Sequence, residues 1–292
     1  MKLTHHSEYG KLQSIYLKSA HSAFIDQQHI SQQWKDLNYL EMPDFDAALK
    51  EYSIFEGQIR ATGASIRYFE RHDTLSMDSV YCRDASIATD FGVILCNMGK
   101  DGRKNEPKIA EEIYSKNRDQ ILGRIESPGT LEGGDVAWLE DKTLAVGRTY
   151  RTNDSGIAQL RALLEPKGIT VIQANLPHYK GKSDVFHLMS ILSPVDKNLA
   201  VVYSPLMPIS FRELLIDRGL TLVEVPDEEF ESMGCNVLAT SPRNCLMVSG
   251  NPITQRRLEN VGATVHTYKG NEISVKGGGG PTCLTRPLLR TI

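Results

Sequence analysis

Residues 133–174 read GGDVAWLEDKTLAVGRTYRTNDSGIAQLRALLEPKGITVIQA, and the order of patterns inside this stretch decides the fold class. GGDVAWLEDKTLAVG holds two short β-type runs, and the turn LEDKT between them carries the Asp expected of a hairpin loop. TNDSGIAQLRALLEPKG then spaces its apolar residues at helical intervals, with Asn153 or Asp154 placed to cap the start and Gly168 to follow the end. ITVIQA supplies a third β-type run. The stretch is a ββαβ unit.

The same unit recurs on both sides. Upstream, SVYCRDASIATDFGVILCNMG precedes the helical EPKIAEEIYSKNRDQILG and the run RIESP. Downstream, VFHLMSILSPVDKNLAVVYS is followed by SFRELLIDRG and LTLVEVP, and CNVLATSPRNCLMVSG by NPITQRRLENVG and ATVHTY. The remaining pieces are IYLKS, a helix near FDAALKEYSIFEGQIRATG, the strand SIRYF and the C-terminal PTCLTRPLL. They complete a fifth unit if the last strand pairs beside the first. The starting points Val80, Asp135, Val185, Cys235 and Thr282 are spaced by 55, 50, 50 and 47 residues. Periodicity alone leaves a closed ring and an open mixed sheet both standing, but closure removes the unpaired edges that an open array exposes.

Composition narrows the partners. With 292 residues, 40% hydrophobic and 24% charged, the chain can bury a sizeable core without disulfide or metal. A formal charge of -3 and the lack of long like-charge runs advertise neither nucleic acid nor an anionic membrane surface. No apolar stretch reaches membrane-helix length, and MKLTHHSEYGKLQ lacks a secretory h-region, so a cytoplasmic protein with a small-molecule partner is expected. Five scattered cysteines without a CxxC pair argue against a disulfide framework and a structural zinc. The oligomeric state is not readable; a homodimer is the candidate assembly.

Asp84, Glu132, His187 and Cys283 fall at or just before the first strand of their units. In a ring, equivalent positions converge on the axis, which would gather two carboxylates, one imidazole and one thiol. A thiol beside an imidazole suits nucleophilic catalysis, and carboxylates suit a planar cation with several N–H donors. The set points to a guanidinium. Gly277 to Gly280 precede Pro281 rather than the GK[ST] and helix of a phosphate loop, and no HExxH is present. The glycines permit tight turns and close approach of substrate.

These residues also carry a resemblance. From about residue 10 to residue 290 the chain resembles the guanidino-group-modifying superfamily, the penteins, and most of all the dimethylarginine dimethylaminohydrolases. MDSVYCRD is similar to the family's D-S-V-F-x-x-D segment, the Glu of an E-[AG]-G-D motif is Glu132, MGKDGRKNE resembles PGAxxRRxE, and RTN resembles an ARTN loop. The resemblance implies an α/β fold, a five-bladed propeller with pseudo-fivefold symmetry, as one pentein-type catalytic domain over residues 1–292. It implies Cys283 as nucleophile, His187 as general acid/base, Glu132 on the guanidinium, Asp78 and Asp84 as substrate-binding carboxylates, and Arg103 and Arg151 holding the α-carboxylate. No cofactor and no metal are implied.

The implied reaction forms a covalent thiouronium adduct at Cys283 that water then hydrolyses to citrulline. His187-Leu188-Met189 stands where arginine deiminases carry HLD, and GGGGPTC where dimethylarginine hydrolases usually end in DGG-x-S-C. Deimination of arginine, hydroxyarginine or citrulline hydrolysis, amidino transfer and a non-catalytic arginine-binding module are the alternatives.

Overall fold

The computed structural model describes residues 4–292. Its fifteen strands are β1 (Lys11–Leu17), β2 (Ser65–Tyr68), β3 (Ser86–Thr89), β4 (Gly92–Leu95), β5 (Ile121–Arg124), β6 (Val136–Glu140), β7 (Thr143–Arg148), β8 (Thr170–Asn175), β9 (Leu192–Asp196), β10 (Leu199–Val202), β11 (Thr221–Glu224), β12 (Leu238–Ser241), β13 (Asn244–Val248), β14 (Thr264–Tyr268) and β15 (Thr285–Thr291). They form five three-stranded sheets: β3-β4-β5, β6-β7-β8, β9-β10-β11, β12-β13-β14 and β15-β1-β2. In each, the first pair is antiparallel and the second parallel, joined through a helix. The last strand does pair beside the first, with Lys11 opposite Thr291 and Leu17 opposite Thr285.

Each sheet buries both faces, because side chains alternate along a strand and every sheet lies between two others. Ile87 and Ile94 pack toward Val136 and Val146, whereas Ala88, Val93 and Leu95 pack toward Tyr16 and Leu288. Three further apolar clusters fill the remaining seams, so five sheets have five interfaces and the array has no free end. The first strands are innermost: β15 touches β3, β6 touches β9, and β9 touches β12.

Local signals decide the boundaries. Asn153, not Asp154, caps the helix Asp154–Leu164, its side chain accepting from Gly156 N, and Gly168 ends the following turn at φ +80°. In the first unit the third strand is not RIESP but the earlier β5. The helix Glu106–Lys116 stops at Asn117, Arg118 turns at φ +59°, and Pro128, which has no N–H to offer a ladder, lies outside the sheet. Thr282 likewise sits in a turn, with β15 starting at Thr285.

Candidate active site

Short turns lead into the innermost strands. Asp84, Asn236 and Cys283 each stand two residues before their strands, Glu132 opens the 3-10 turn Gly133–Asp135 ahead of β6, and His187 opens the turn Leu188–Ser190 ahead of β9. Asp78, Asp84, Arg103, Arg151, His187 and Cys283 line one cavity with Tyr81, Lys100, Val185 and Gly277 to Gly279. Glu132 lies just behind, fully buried, accepting from His187 Nε2 at 2.8 Å. The cavity measures about 10 Å3, room for about one water, and shares Val185, Gly277 and Gly278 with a neighbouring pocket of about 250 Å3.

The histidine is held as an imidazolium. Burial alone would lower its pKa, but Asp135, Asp84 and Glu132 outweigh burial and raise it, while the same pairing drives Glu132 down. Asp135 also fixes the turn that carries His187, since Oδ1 accepts from Leu188 N at 3.0 Å and Oδ2 from Thr149 Oγ1 at 2.7 Å. Burial pushes Asp135 itself up to about 6. Gly134 makes the approach possible: a Cβ there would lie 2.5 Å from His187 Nδ1 and 2.7 Å from Asp84 Oδ1. Asp84 Oδ1 is buried and has no hydrogen-bond partner.

Cys283 is 8% exposed, and burial pushes its thiol pKa up, with the Asp84 carboxylate acting in the same direction. Asn236 opposes this by donating from Nδ2 to Sγ at 3.3 Å. Its amide orientation is set by Oδ1, which accepts from Thr282 N at 3.0 Å and Thr282 Oγ1 at 2.8 Å. The glycine run serves this packing: a Cβ on Gly280 would lie 2.5 Å from Asn236 Oδ1, so the close approach is made by the protein's own side chain.

The arginines do not stand free at a mouth. Arg103 is 4% exposed, with Nη1 on Asp84 Oδ2 at 2.6 Å and a bidentate pair to Glu106 at 2.8 Å for each bond. Arg151 is 3% exposed, 3.5 Å from Glu132 Oε1, and donates to Asp184 O at 3.3 Å. Asp78 is also engaged, because Lys100 Nζ sits 2.5 Å from its Oδ2 and also donates to Leu37 O at 2.7 Å. Leu37, in the Gln- and Asp-rich stretch IDQQHISQQWKDLNYLEMPDFD at residues 25–46, thus reaches this end of the cavity through its carbonyl.

Asn236 and Lys100 are the residues that sequence reading missed. Asn236 occupies in the fourth unit the place that Asp84, Glu132, His187 and Cys283 occupy in the others, and Lys100 is the residue of MGKDGRKNE that stands where PGAxxRRxE has Ala. Asp84, Glu132 and His187 present ligand atoms within 4.8 Å of one another, the donor set of a cation site. His187 Nε2 is committed to Glu132 and Asp84 Oδ2 to Arg103, so the open acceptor, Asp84 Oδ1, suits an N–H donor.

Comparison with known proteins bears on the family and the fold. The family model for N,N dimethylarginine dimethylhydrolase, eukaryotic, matches residues 19–290. The N(G),N(G)-dimethylarginine dimethylaminohydrolase of Pseudomonas aeruginosa is 26% identical over 248 residues, 85% of this chain and 91% of that protein. A solved structure of a P. aeruginosa dimethylarginine dimethylaminohydrolase complexed with citrulline superposes with TM-score 0.76 at 22% identity, over 96% of this chain and 99% of that one. The product-bound N-terminal domain of a cyanobacterial arginine dihydrolase does so with TM-score 0.81 at 16% identity, over 97% and 99%. The two structures share the fold; the family match, spanning nearly all of the sequence, shows that the chain belongs to the dimethylarginine dimethylaminohydrolase family of the pentein superfamily.

Proposed function

We propose that this protein hydrolyses the terminal C–N bond of a dimethylarginine-type substrate, releasing the methylated amine and leaving citrulline. One observation carries the reading: the unpartnered carboxylate oxygen Asp84 Oδ1 lines the same buried cavity as Cys283 and His187. A guanidinium N–H there would satisfy an acceptor that is otherwise costly to bury. Family membership and the citrulline bound by a structural neighbour point to the same chemistry.

In this reading the substrate cation, lying against Asp84 and Glu132, favours the Cys283 thiolate that burial otherwise disfavours. Sγ attacks the guanidinium carbon. The tetrahedral adduct collapses as the His187 imidazolium protonates the departing amine, leaving a thiouronium and a neutral imidazole. His187 then takes a proton from water, whose oxygen adds to the same carbon, and collapse, with the hydroxyl proton passing to the sulfur, returns the thiol and citrulline. Arg103 and Arg151 reach the substrate's α-carboxylate only if the ion pairs they now make are exchanged or shared.

Met189, 2% exposed, follows the His-Leu pair, so no second carboxylate stands at that position, which favours a substituted and less polar nitrogen. The five cysteines are all free and buried, which supports a reducing, cytoplasmic location. No described helix is long and apolar enough to cross a membrane. A product assay tests the function: dimethylarginine should yield dimethylamine and citrulline in equal amounts, and Cys283→Ser should abolish both. Turnover surviving that substitution, or arginine processed with a higher kcat/KM than dimethylarginine, rejects the proposal.

A further inference from the structure

A second internal cavity lies between the N-terminal segment, β3, β6 and β15. It is lined by Glu8, Arg83, Trp138, Arg286 and Arg290, and no step of the proposed reaction uses it. The three arginines are 1, 5 and 1% exposed. Among the described residues only Glu8 forms an ion pair with any of them, through Oε2 to Arg83 Nη2 at 2.8 Å; its other oxygen accepts from Trp138 N at 3.3 Å. Arg286 Nη1 donates to Ser86 O at 2.7 Å, and Arg290 Nη1 donates to Gly10 O and Ala239 O. Four further donor atoms are buried with no partner: Arg83 Nε and Nη1, Arg286 Nε and Arg290 Nη2.

Three guanidinium groups against one carboxylate leave a formal excess of two positive charges with little contact with water. Buried cations without counter-charge are among the costliest features a fold can carry. Guanidinium cannot escape by losing its proton under ordinary conditions. Burial and mutual repulsion among the arginines pull Arg286 down to about 10 and Arg290 to about 9, in the direction of a site short of negative charge.

We propose that this cavity binds one small monovalent anion of halide size, with chloride as the physiological occupant, held by the unpaired N–H groups of Arg83, Arg286 and Arg290. Its volume of about 10 Å3 admits one occupant of roughly water size and excludes sulfate or phosphate. Water would find acceptors in Glu8 and the unpartnered Thr4 hydroxyl, but it would leave the excess positive charge uncompensated. The anion would also brace the reaction site from behind. Arg83 N donates to Cys283 O at 3.2 Å, and Gly133 N donates to Asp84 O at 2.9 Å, so the turn that closes over the anion also holds Asp84 and Cys283.

The test uses the full chain, dialysed exhaustively into sodium gluconate and titrated with chloride or bromide at constant ionic strength. The thermal midpoint should rise saturably with either halide, as expected for a ligand bound only by the folded state, whereas sulfate should give only the non-saturating rise of an excluded salt. Arg290→Met should remove that rise. Because that variant can fail to fold, crystals of the unaltered protein equilibrated in bromide provide the second reading, with an anomalous peak expected among the three guanidinium groups. Bromide-equilibrated crystals without that peak, or midpoints identical in gluconate and halide, overturn the proposal.

Discussion

The amide of Asn236 lies 3.3 Å from Cys283 Sγ, and the backbone and hydroxyl of Thr282 lock the amide so that its NH2 faces the sulfur. A donor fixed in this way stabilises thiolate over thiol. A hydrogen bond to a charged group contributes about 1.5–3 kcal/mol, or roughly one to two units of thiol pKa. Asn236→Ala should therefore shift the pH profile of Cys283 alkylation upward and lower kcat/KM by roughly 10-fold or more, with KM little changed. An unshifted alkylation profile would leave Asn236 only a packing role.

Lys100 competes with any cationic ligand for Asp78. Lys100→Met should lower KM for a cationic substrate several-fold if Asp78 contacts it, and should also cost stability. Removing one partner of a buried pair leaves the other charge uncompensated, typically at about 3–5 kcal/mol. Steady-state kinetics beside thermal melts separate the two effects, and an unchanged KM would remove Asp78 from the substrate's surroundings.

Stability should peak in mildly acidic solution. Asp135 is raised to about 6 and Glu106 to about 7, each by burial, and His187 is raised by the carboxylates around it. All three bind protons more tightly folded than unfolded, so their contribution is complete at low pH and is lost as pH rises through their folded values. Glu132 and Glu8 are lowered and act oppositely, adding stability above the ordinary glutamate range. The melting temperature should thus climb as pH rises toward about 4, then fall, through Asp135 to about 6, through Glu106 to about 7 and through His187 to about 9. Asp135→Asn should flatten the part of the fall between about pH 4 and 6, and a curve still rising at pH 8 would contradict the assignment.

Asn153 Oδ1 accepts from Gly156 N at 2.8 Å and from Thr130 N at 3.0 Å, tying a helix start to the neighbouring loop. Asn153→Ala should cost about 1–2 kcal/mol, read as a drop of a few degrees in melting temperature with kcat unaffected.

The fold was legible because each ββαβ unit repeats the same alternation of apolar runs, capped helix and polar turn, while the pairing of β15 with β1, which the leftover pieces required for a fifth unit, is decided by the structure. The end of the helix Glu106–Lys116 was not legible: Ile121 and Leu122 continue an apolar pattern that a left-handed turn at Arg118 interrupts. Asp84, His187 and Cys283 meet at one cavity with Glu132 just behind, because equivalent turns converge on the axis. What the motifs could not convey is which charges are already spent. Arg103 on Asp84 and Lys100 on Asp78 are meetings between units, set by packing between loops far apart in the chain. Asn236 escaped notice because an amide carries no charge to draw attention to it.

The pairing of β1 with β15 joins residues some 280 positions apart, and Cys283 stands two residues before that final strand. Contacts so distant in sequence carry a loop-closure cost that local hairpins and helices do not, so they are expected to form after them. The thiol is therefore delivered to Asp84 and His187 by the same event that seals the last seam. Four assembled sheets would still hold no reactive centre, and a refolding chain should regain tertiary closure and Cys283-dependent activity together.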